Sequence, residues 1–323
     1  MSPSVCRAYT LTLPTKLCIR NRRETNTIAT GAVIGILSST GSTYAPPLAV
    51  PHMKAPTIEH STTTNHVHQI HKELRQHGLL KVSLGFPDPG SQYLKQLVLS
   101  LHRHCRHQLP ISHSASCGWL WDVRPESVSF QTANHRARSE TMDEFPWHTD
   151  CSYEELPPRY FALQVMQHDR FGGGTLSAMN IQGLNQSLSP STQASLMRLE
   201  YSIDTPREFC KDPTKQHIIG NLMAIDPETQ SCMMRFRRDI VKPLTERASK
   251  ALKELDACLQ TTGRTAESES PSTVHLNSAD LPTGTIIIMD NRRWLHARND
   301  VKDPKRHLRR LRWDAIPFPR GVE

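Results

Sequence analysis

The sequence lacks any run of about 18 apolar residues, the length a helix needs to cross a membrane. Its longest weakly apolar stretch, Ala29 to Leu37, contains glycine and is too short to span. None of the eight cysteines (Cys6, Cys18, Cys105, Cys117, Cys151, Cys210, Cys232 and Cys258) forms a CxxC pair. Their spacings match neither a zinc site nor a disulfide framework. They read as free thiols in a reducing, cytoplasmic compartment. No clear secretory signal opens the chain. Acidic residues are almost missing from residues 1–58, where Glu24 stands alone against Arg7, Arg20, Arg22 and Arg23. That Ser-, Thr- and Pro-rich composition fits a disordered tail or a mitochondrial targeting segment. Aromatics make up only 6%, and few are interleaved with basic residues. The formal charge of +8 therefore does not by itself point to nucleic acid.

What is present is enough chain, 323 residues, for one large domain with a substantial core. The folded part is expected from about Asn65 to the end, residues 65–323. Residues 68–78 predict a short helix stopped by Gly78, and 79–86 a strand. A second helix is predicted over Gln92–His107 and a strand over 119–123. Residues 131–144 are polar and predict a loop over the functional site. Strands follow at 157–167 and 172–180. Ser189 and Pro190 form a helix start, serine as cap and proline in the first turn. Residues 216–238 predict a hairpin with Pro227-Glu228 at its turn. Leu244, Ala248, Leu252, Leu255 and Leu259 recur at helical spacing, and Gly263 ends that helix. Residues 264–273 predict a polar loop, 284–290 a buried strand and 306–316 the last strand. Many short strands without a βαβ rhythm predict a mainly β sandwich or barrel with helices in its connections.

The chemistry-bearing residues gather in two stretches, Phe145–Met179 and 284–314. The first holds His148 and Asp150. Among 17 histidines, one His-x-Asp pair is expected by chance, so context must decide. The pair-like His71-Lys72-Glu73 falls in a predicted helix, where side chains two apart diverge by about 200°. At the end of a strand they share a face. Only His148 and Asp150 meet that condition. The second stretch adds His296, just after the buried strand 284–290. Two histidines and one carboxylate form the facial triad of non-haem Fe(II) oxygenases, with adjacent positions left open. Open positions call for a co-substrate. 2-Oxoglutarate would need a buried cation and a hydroxyl for its distal carboxylate. Arg306 and Arg310, four apart on a predicted strand, share one face, and Thr175 supplies a hydroxyl.

These pieces resemble the Fe(II)/2-oxoglutarate oxygenases of the taurine dioxygenase (TauD/TfdA) and clavaminate synthase-like group. The matching residues are His148-Thr149-Asp150, Gly174-Thr175, Asp290 to Arg298 and Arg306 to Leu311, within a resemblance that covers roughly 75–318. The resemblance implies a double-stranded β-helix, a cupin-like jelly roll with iron at its open end. It implies that His148, Asp150 and His296 hold Fe(II), that Arg306 and Thr175 hold 2-oxoglutarate, and that O2 is the oxidant. It leaves Arg310 nearer the substrate.

The expected substrate is a small anion, a free amino acid of secondary metabolism, with Arg310, Arg298 and Arg235 as candidate carboxylate partners. The outcomes open are hydroxylation, desaturation and oxidative cyclisation, including aziridine formation on a valine-like substrate. One alternative is a hydroxylase of the carnitine pathway, suggested by the stretch Asp290–Arg298. Its quaternary ammonium substrate would want an aromatic cage. Another, of a different class, is a basic nucleic-acid-binding protein, whose binding would be salt-sensitive and independent of 2-oxoglutarate. The expectation is no nucleic-acid partner and no membrane.

Overall fold

The computed structural model describes residues 48–112, 118–125, 137–210, 214, 216–261 and 272–321. The expectations for residues 1–47, 131–136, Gly263 and 264–271 lie outside these.

The described chain opens with strand β1 (His52–Ala55), a 3-10 turn and helix α1 (Thr64–His77). Gly78 closes α1 as predicted, with φ 69°, a left-handed conformation that costs glycine no strain. Next come β2 (Leu79–Leu84), α2 (Gln92–Cys105), β3 (Leu120–Val123) and β4 (Phe145–His148). β5 (Pro158–Gln167) and β6 (Leu176–Asn180) lead into the short helices α3 (Ile181–Gln186) and α4 (Pro190–Leu196). Ser189 caps α4, accepting a hydrogen bond from the Thr192 N–H at 3.3 Å. β7 (Tyr201–Asp204), β8 (His217–Gly220), β9 (Met223–Ile225), β10 (Cys232–Met234) and β11 (Val241–Pro243) precede α5 (Glu246–Thr261). β12 (Thr273–Leu276), β13 (Thr285–Asp290), β14 (Trp294–Arg298) and β15 (His307–Ala315) complete the chain.

The strands form a six-stranded sheet, β1-β2-β13-β5-β15-β3, and a four-stranded sheet, β12-β6-β14-β4. Their inner faces bury one apolar layer containing Trp121, Phe161, Leu163, Leu176, Ala178, Ile287, Met289 and Trp294. This is a double-stranded β-helix with flanking helices. Strand periodicity explains which residues go where. On β13, Ile287 and Met289 face the inner layer, while Ile286 and Ile288 pack with Val67, Ile70, Leu94 and Leu97 of α1 and α2. A strand covered on both faces reads as a continuous apolar run, which is why TIIIMD shows no alternation. Burying each isoleucine contributes about 1.5–3 kcal/mol. The outer face of the four-stranded sheet packs with α3, α4, α5 and the strands between them.

Three boundaries differ from expectation. The fold begins before Asn65, because β1 pairs in parallel with β2 and buries Ala55 within the stretch assigned to a tail. The predicted hairpin over 216–238 is divided: β8 pairs with β7, and only β9 and β10 pair across the Pro227 turn. Gly172, Gly173 and Gly174 precede β6 instead of belonging to it. Cys105, Cys151 and Cys232 are free thiols. No described helix is long and apolar enough to cross a membrane.

The boundary of β1 is testable by truncation. A chain starting at Leu48 keeps β1, whereas one starting at Pro56 loses it. The second should unfold earlier by on the order of 5 °C, at about 2–4 °C per kcal/mol for a domain of this size. Equal melting temperatures would show that β1 adds nothing.

Candidate active site

The site forms where the ends of β4 and β14 meet. His148, the last residue of β4, lies directly across from His296 in antiparallel register, with ring centroids 4.1 Å apart. Asp150 follows in the turn after β4. Its Oδ1 lies 4.0 Å from His148 Nε2 and 3.9 Å from His296 Nε2. One ligand atom from each of the three falls within 4.8 Å of the others, and among the described residues no other such group of three occurs. All three side chains are buried. His71, on α1, is instead hydrogen-bonded through Nδ1 to His107 Nε2 at 2.9 Å.

Electrostatics favours ligand-competent states. Burial, then His296, drives the His148 pKa well below its usual value. Burial likewise lowers that of His296, to about 4. Both rings are therefore neutral near pH 7. The His148 Nδ1–H donates to the Pro146 carbonyl at 2.7 Å, which fixes the tautomer and leaves the Nε2 lone pair towards Asp150. Burial would raise the Asp150 pKa, but Arg310 and then His296 outweigh it and hold the carboxyl below the usual range.

The arginines divide into distinct roles. Arg310 Nη1 lies 3.0 and 2.9 Å from the two carboxylate oxygens of Asp150. Arg306, eight residues in the chain before the buried Asp314, is itself buried, and its Nη1 has no hydrogen-bond partner among the described residues. Burial, with the neighbouring Arg298 adding to it, lowers the Arg306 pKa to about 9. Both Arg306 and Arg310 reach the same cavity, although a bulge separates His307 from Leu308 in the pairing of β15 with β5. Arg309 turns to the other side and binds Asp122 at 2.9 Å, as the strand period predicts.

Two of the predicted carboxylate partners are committed elsewhere. Arg298 lines the cavity, but its guanidinium donates to the carbonyls of Ser139, Thr141 and Asp143, so it holds the segment over the site. Arg235 is not brought to the cavity. It donates from Nε to the Asn221 carbonyl at 3.0 Å and lies over the Phe318 ring. Thr175 is half-buried, with its N–H on Asn299 Oδ1 at 2.7 Å, and does not line the cavity. Its neighbour Gly174 is what touches Arg306. With φ +66°, it has no Cβ, and one placed there would sit 2.6 Å from Arg306 Nε.

Two cavities share the metal-ligand wall. The first, about 450 Å³ including its mouth, ends at Arg306 and is walled by Val123, Phe161, Leu163, Leu176 and Leu308. The second, about 380 Å³, carries Arg138, Arg237 and Arg312 beside Phe145, Tyr153 and Phe209. His148, Asp150, Ser139, Phe145 and Arg310 line both. Arg312 is missed in the sequence reading, yet lies two residues beyond Arg310 on the same strand face. Arg237 is missed for a different reason: it reaches the site through an isolated bridge to His148 that no local pattern marks.

The Arg298 contacts predict a measurable effect. Arg298→Ala leaves three carbonyls of the covering segment without their donor. Hydrogen–deuterium exchange over 139–145 should rise, while exchange in β13 stays unchanged. Unchanged exchange over the segment would show that Arg298 does not hold it.

Comparisons with known proteins agree with this geometry. An asparagine oxygenase solved with Fe(II), 2S,3S-3-hydroxyasparagine and succinate is similar at TM-score 0.59 and 18% identity, over 80% of this chain and 83% of that one. The non-heme iron oxygenase OrfP with Fe is similar at TM-score 0.57 and 14% identity, over 81% and 94%. A taurine dioxygenase from Burkholderia xenovorans is similar at TM-score 0.55 and 17% identity, over 80% and 87%. No curated protein sequence matches. The taurine catabolism dioxygenase TauD, TfdA family matches residues 49–312, a range that holds His148, Asp150, His296, Arg306 and Arg310. The chain belongs to the TauD/TfdA family of Fe(II)/2-oxoglutarate-dependent dioxygenases.

Proposed function

We propose that this enzyme oxidises an unactivated C–H bond of a small anionic amino acid, with His148, Asp150 and His296 as iron ligands and Arg306 as the anchor of 2-oxoglutarate. The observation that carries the reading is that His148 and Asp150 stand in the wall shared by two cavities, with His296 completing the triad on the side of the first, and that arginines line both cavities.

The residues suit both cofactors. Two neutral imidazoles and an ionised carboxylate are the donor set of a facial Fe(II) site. The Nη1 of Arg306, without a hydrogen-bond partner among the described residues and beside Val123, Leu163, Leu176 and Leu308, suits a distal carboxylate. Iron and 2-oxoglutarate together supply the oxidising chemistry, in which O2 is consumed, 2-oxoglutarate becomes succinate and carbon dioxide, and a substrate C–H bond is oxidised. The protein's share is placement. Leu163, Leu176 and Leu308 keep water from the carboxylate on Arg306 and so strengthen that contact. Arg310 orients the carboxylate of Asp150. Of the arginines at the second cavity, Arg237 is paired with Asp239 through two contacts of 2.9 Å, and Arg138 lies 3.9 Å from the same carboxylate; with Arg312 added, cations still outnumber these anions, which suits a substrate carboxylate. Thr175 acts, in this reading, through the position of Gly174 and not as a direct lining group.

Phe145, Tyr153 and Phe209 in the second cavity give the quaternary-ammonium alternative an aromatic wall. The arginines between them oppose a cation, which favours the amino-acid reading. Hydroxylation, desaturation and cyclisation, aziridine formation included, all begin from the same bound geometry.

Purified enzyme with Fe(II), O2 and 2-oxoglutarate should form succinate faster with particular amino acids than without. A trimethylammonium acid serves as the competing arm. Stimulation by that compound alone would overturn the amino-acid reading. His148→Ala, Asp150→Ala or His296→Ala should abolish turnover, whereas His71→Ala should not change it. Separately, Arg306→Ala should raise the KM for 2-oxoglutarate at least about tenfold, since about 1.4 kcal/mol is one factor of ten and a buried charged contact exceeds that. Arg306→Lys should restore only part, because it lacks the planar fork. An unchanged KM in Arg306→Ala would remove Arg306 from the 2-oxoglutarate site.

A further inference from the structure

We propose that Asn291 is a positioning residue for the metal centre, holding the main chain of Asp150 so that its carboxylate meets the two histidines. The inference rests on the metal-ligand reading above and adds a residue whose role lies outside the triad.

β4 ends at His148, so ladder pairing fixes His148 against His296 but stops before Asp150. Asp150 is nevertheless buried, and its main-chain N–H and C=O need partners there. Asn291 supplies both. Its Oδ1 accepts from the Asp150 N–H at 2.7 Å, and its Nδ2 donates back to the Asp150 carbonyl at 2.9 Å. The second Nδ2 hydrogen goes to the Pro158 carbonyl, also at 2.9 Å. The amide orientation is set by these partners, since only an oxygen can accept from the Asp150 N–H. Asn291 is only 1% exposed, so water cannot readily replace these bonds.

The clasp is itself rigidly mounted. The Asn291 N–H donates to the Arg159 carbonyl at 2.7 Å. Asp290 accepts from the Arg292 N–H and from Arg293 Nε, both at 3.0 Å, which fixes the turn between β13 and β14. The carbonyls of Arg292 and Arg293 accept from the N–H groups of Met234 and Ile181 at 2.8 and 3.0 Å. β14, which leaves this turn, carries His296. One turn therefore delivers the third ligand through its strand and locates the second through its asparagine. Thr149 is held from another side, by reciprocal bonds with the Phe236 main chain at 2.7 and 3.0 Å. The loop after β4 is thereby fixed without extending the ladder.

Groups that orient metal ligands typically change metal affinity by about 10–100-fold when removed. A purely structural asparagine would change only stability. Asn221 provides that comparison: it is 0% exposed and bonds to the carbonyls of Met223 and Pro319 and to the Gly321 N–H, away from the triad.

The test titrates metal-free protein with Co(II) under anaerobic conditions, reading the dissociation constant and the visible spectrum, and repeats the affinity with Fe(II). Asn291→Ala is expected to weaken binding about 10–100-fold and to alter the Co(II) spectrum. Asn221→Ala is expected to lower Tm while leaving both unchanged. Binding by Asn291→Ala within about twofold of wild type, with an unchanged spectrum, overturns the proposal. Should Asn291→Ala not fold, Asn291→Ser is read in the same titration, and failure of both to fold assigns Asn291 to folding and also overturns it. His148→Ala separates the two readings. If it binds metal like wild type, the metal-ligand reading itself fails, and the role of Asn291 falls with it.

Discussion

Burying guanidinium groups is the constraint on which the site depends. Arg298, Arg306, Arg310 and Arg312 are all buried along the two strands that lead into and out of the cavity. A buried charge must find partners, because its loss of hydration is worth several kcal/mol. Each arginine meets that demand differently. Arg298 takes three main-chain carbonyls, Arg310 takes Asp150, and Arg312 contacts the Cys151 sulfur. Among the described residues, the hydrogen-bond partner of Arg306 is the Gly174 carbonyl, at 3.5 Å. Nε of Arg298 and of Arg310 is likewise without a partner among the described residues, but those two groups make other, shorter contacts; Arg306, with one long contact, lines the cavity beside the triad with its terminal Nη1 unpartnered.

The double-stranded β-helix makes this arrangement affordable. Alternation on β15 sends Leu308, Arg310 and Arg312 inward, and Leu311 and Trp313 outward against the helices. The outward residues stabilise the strand by apolar burial independently of the charges on its other face. The inner layer of Phe161, Leu163 and Leu176 then lowers the local dielectric around Arg306, which makes any carboxylate held there more strongly bound than at the surface. Stability and function are carried on opposite faces of the same element.

The sequence reading succeeds where a local period determines the outcome. His148 does stand at a strand end, unlike His71 in its helix, but Asp150 lies in the turn beyond β4, where Asn291 and not the strand period holds it. Ile286–Met289 reads as buried because the run is apolar throughout. It fails where a side chain's partner is distant in the chain. Arg298 and Arg235 carry the same charge as Arg306, and only tertiary contacts commit one to loop carbonyls and the other to the Phe318 ring. Asn291 stands in a motif that the sequence displays, but its contact with Asp150 spans 141 positions and has no periodic signature. β1, four residues paired at a sheet edge, is too short to show alternation, so it merges with the proline-rich residues before it.

Charge also links the two cavities to the segment that covers them. Arg298 adds to the burial that lowers the Arg306 pKa, and Arg298 is the donor to the carbonyls over 139–143. With pKa values lowered to about 10 and about 9, both guanidinium groups still carry their charge at neutral pH, so Arg298 donates to these carbonyls in its charged form. Ser139 and Phe145, at either end of the held segment, line both cavities. One guanidinium thus shapes the wall common to both cavities, and it does so through main-chain carbonyls that no change in the sheets is needed to reach.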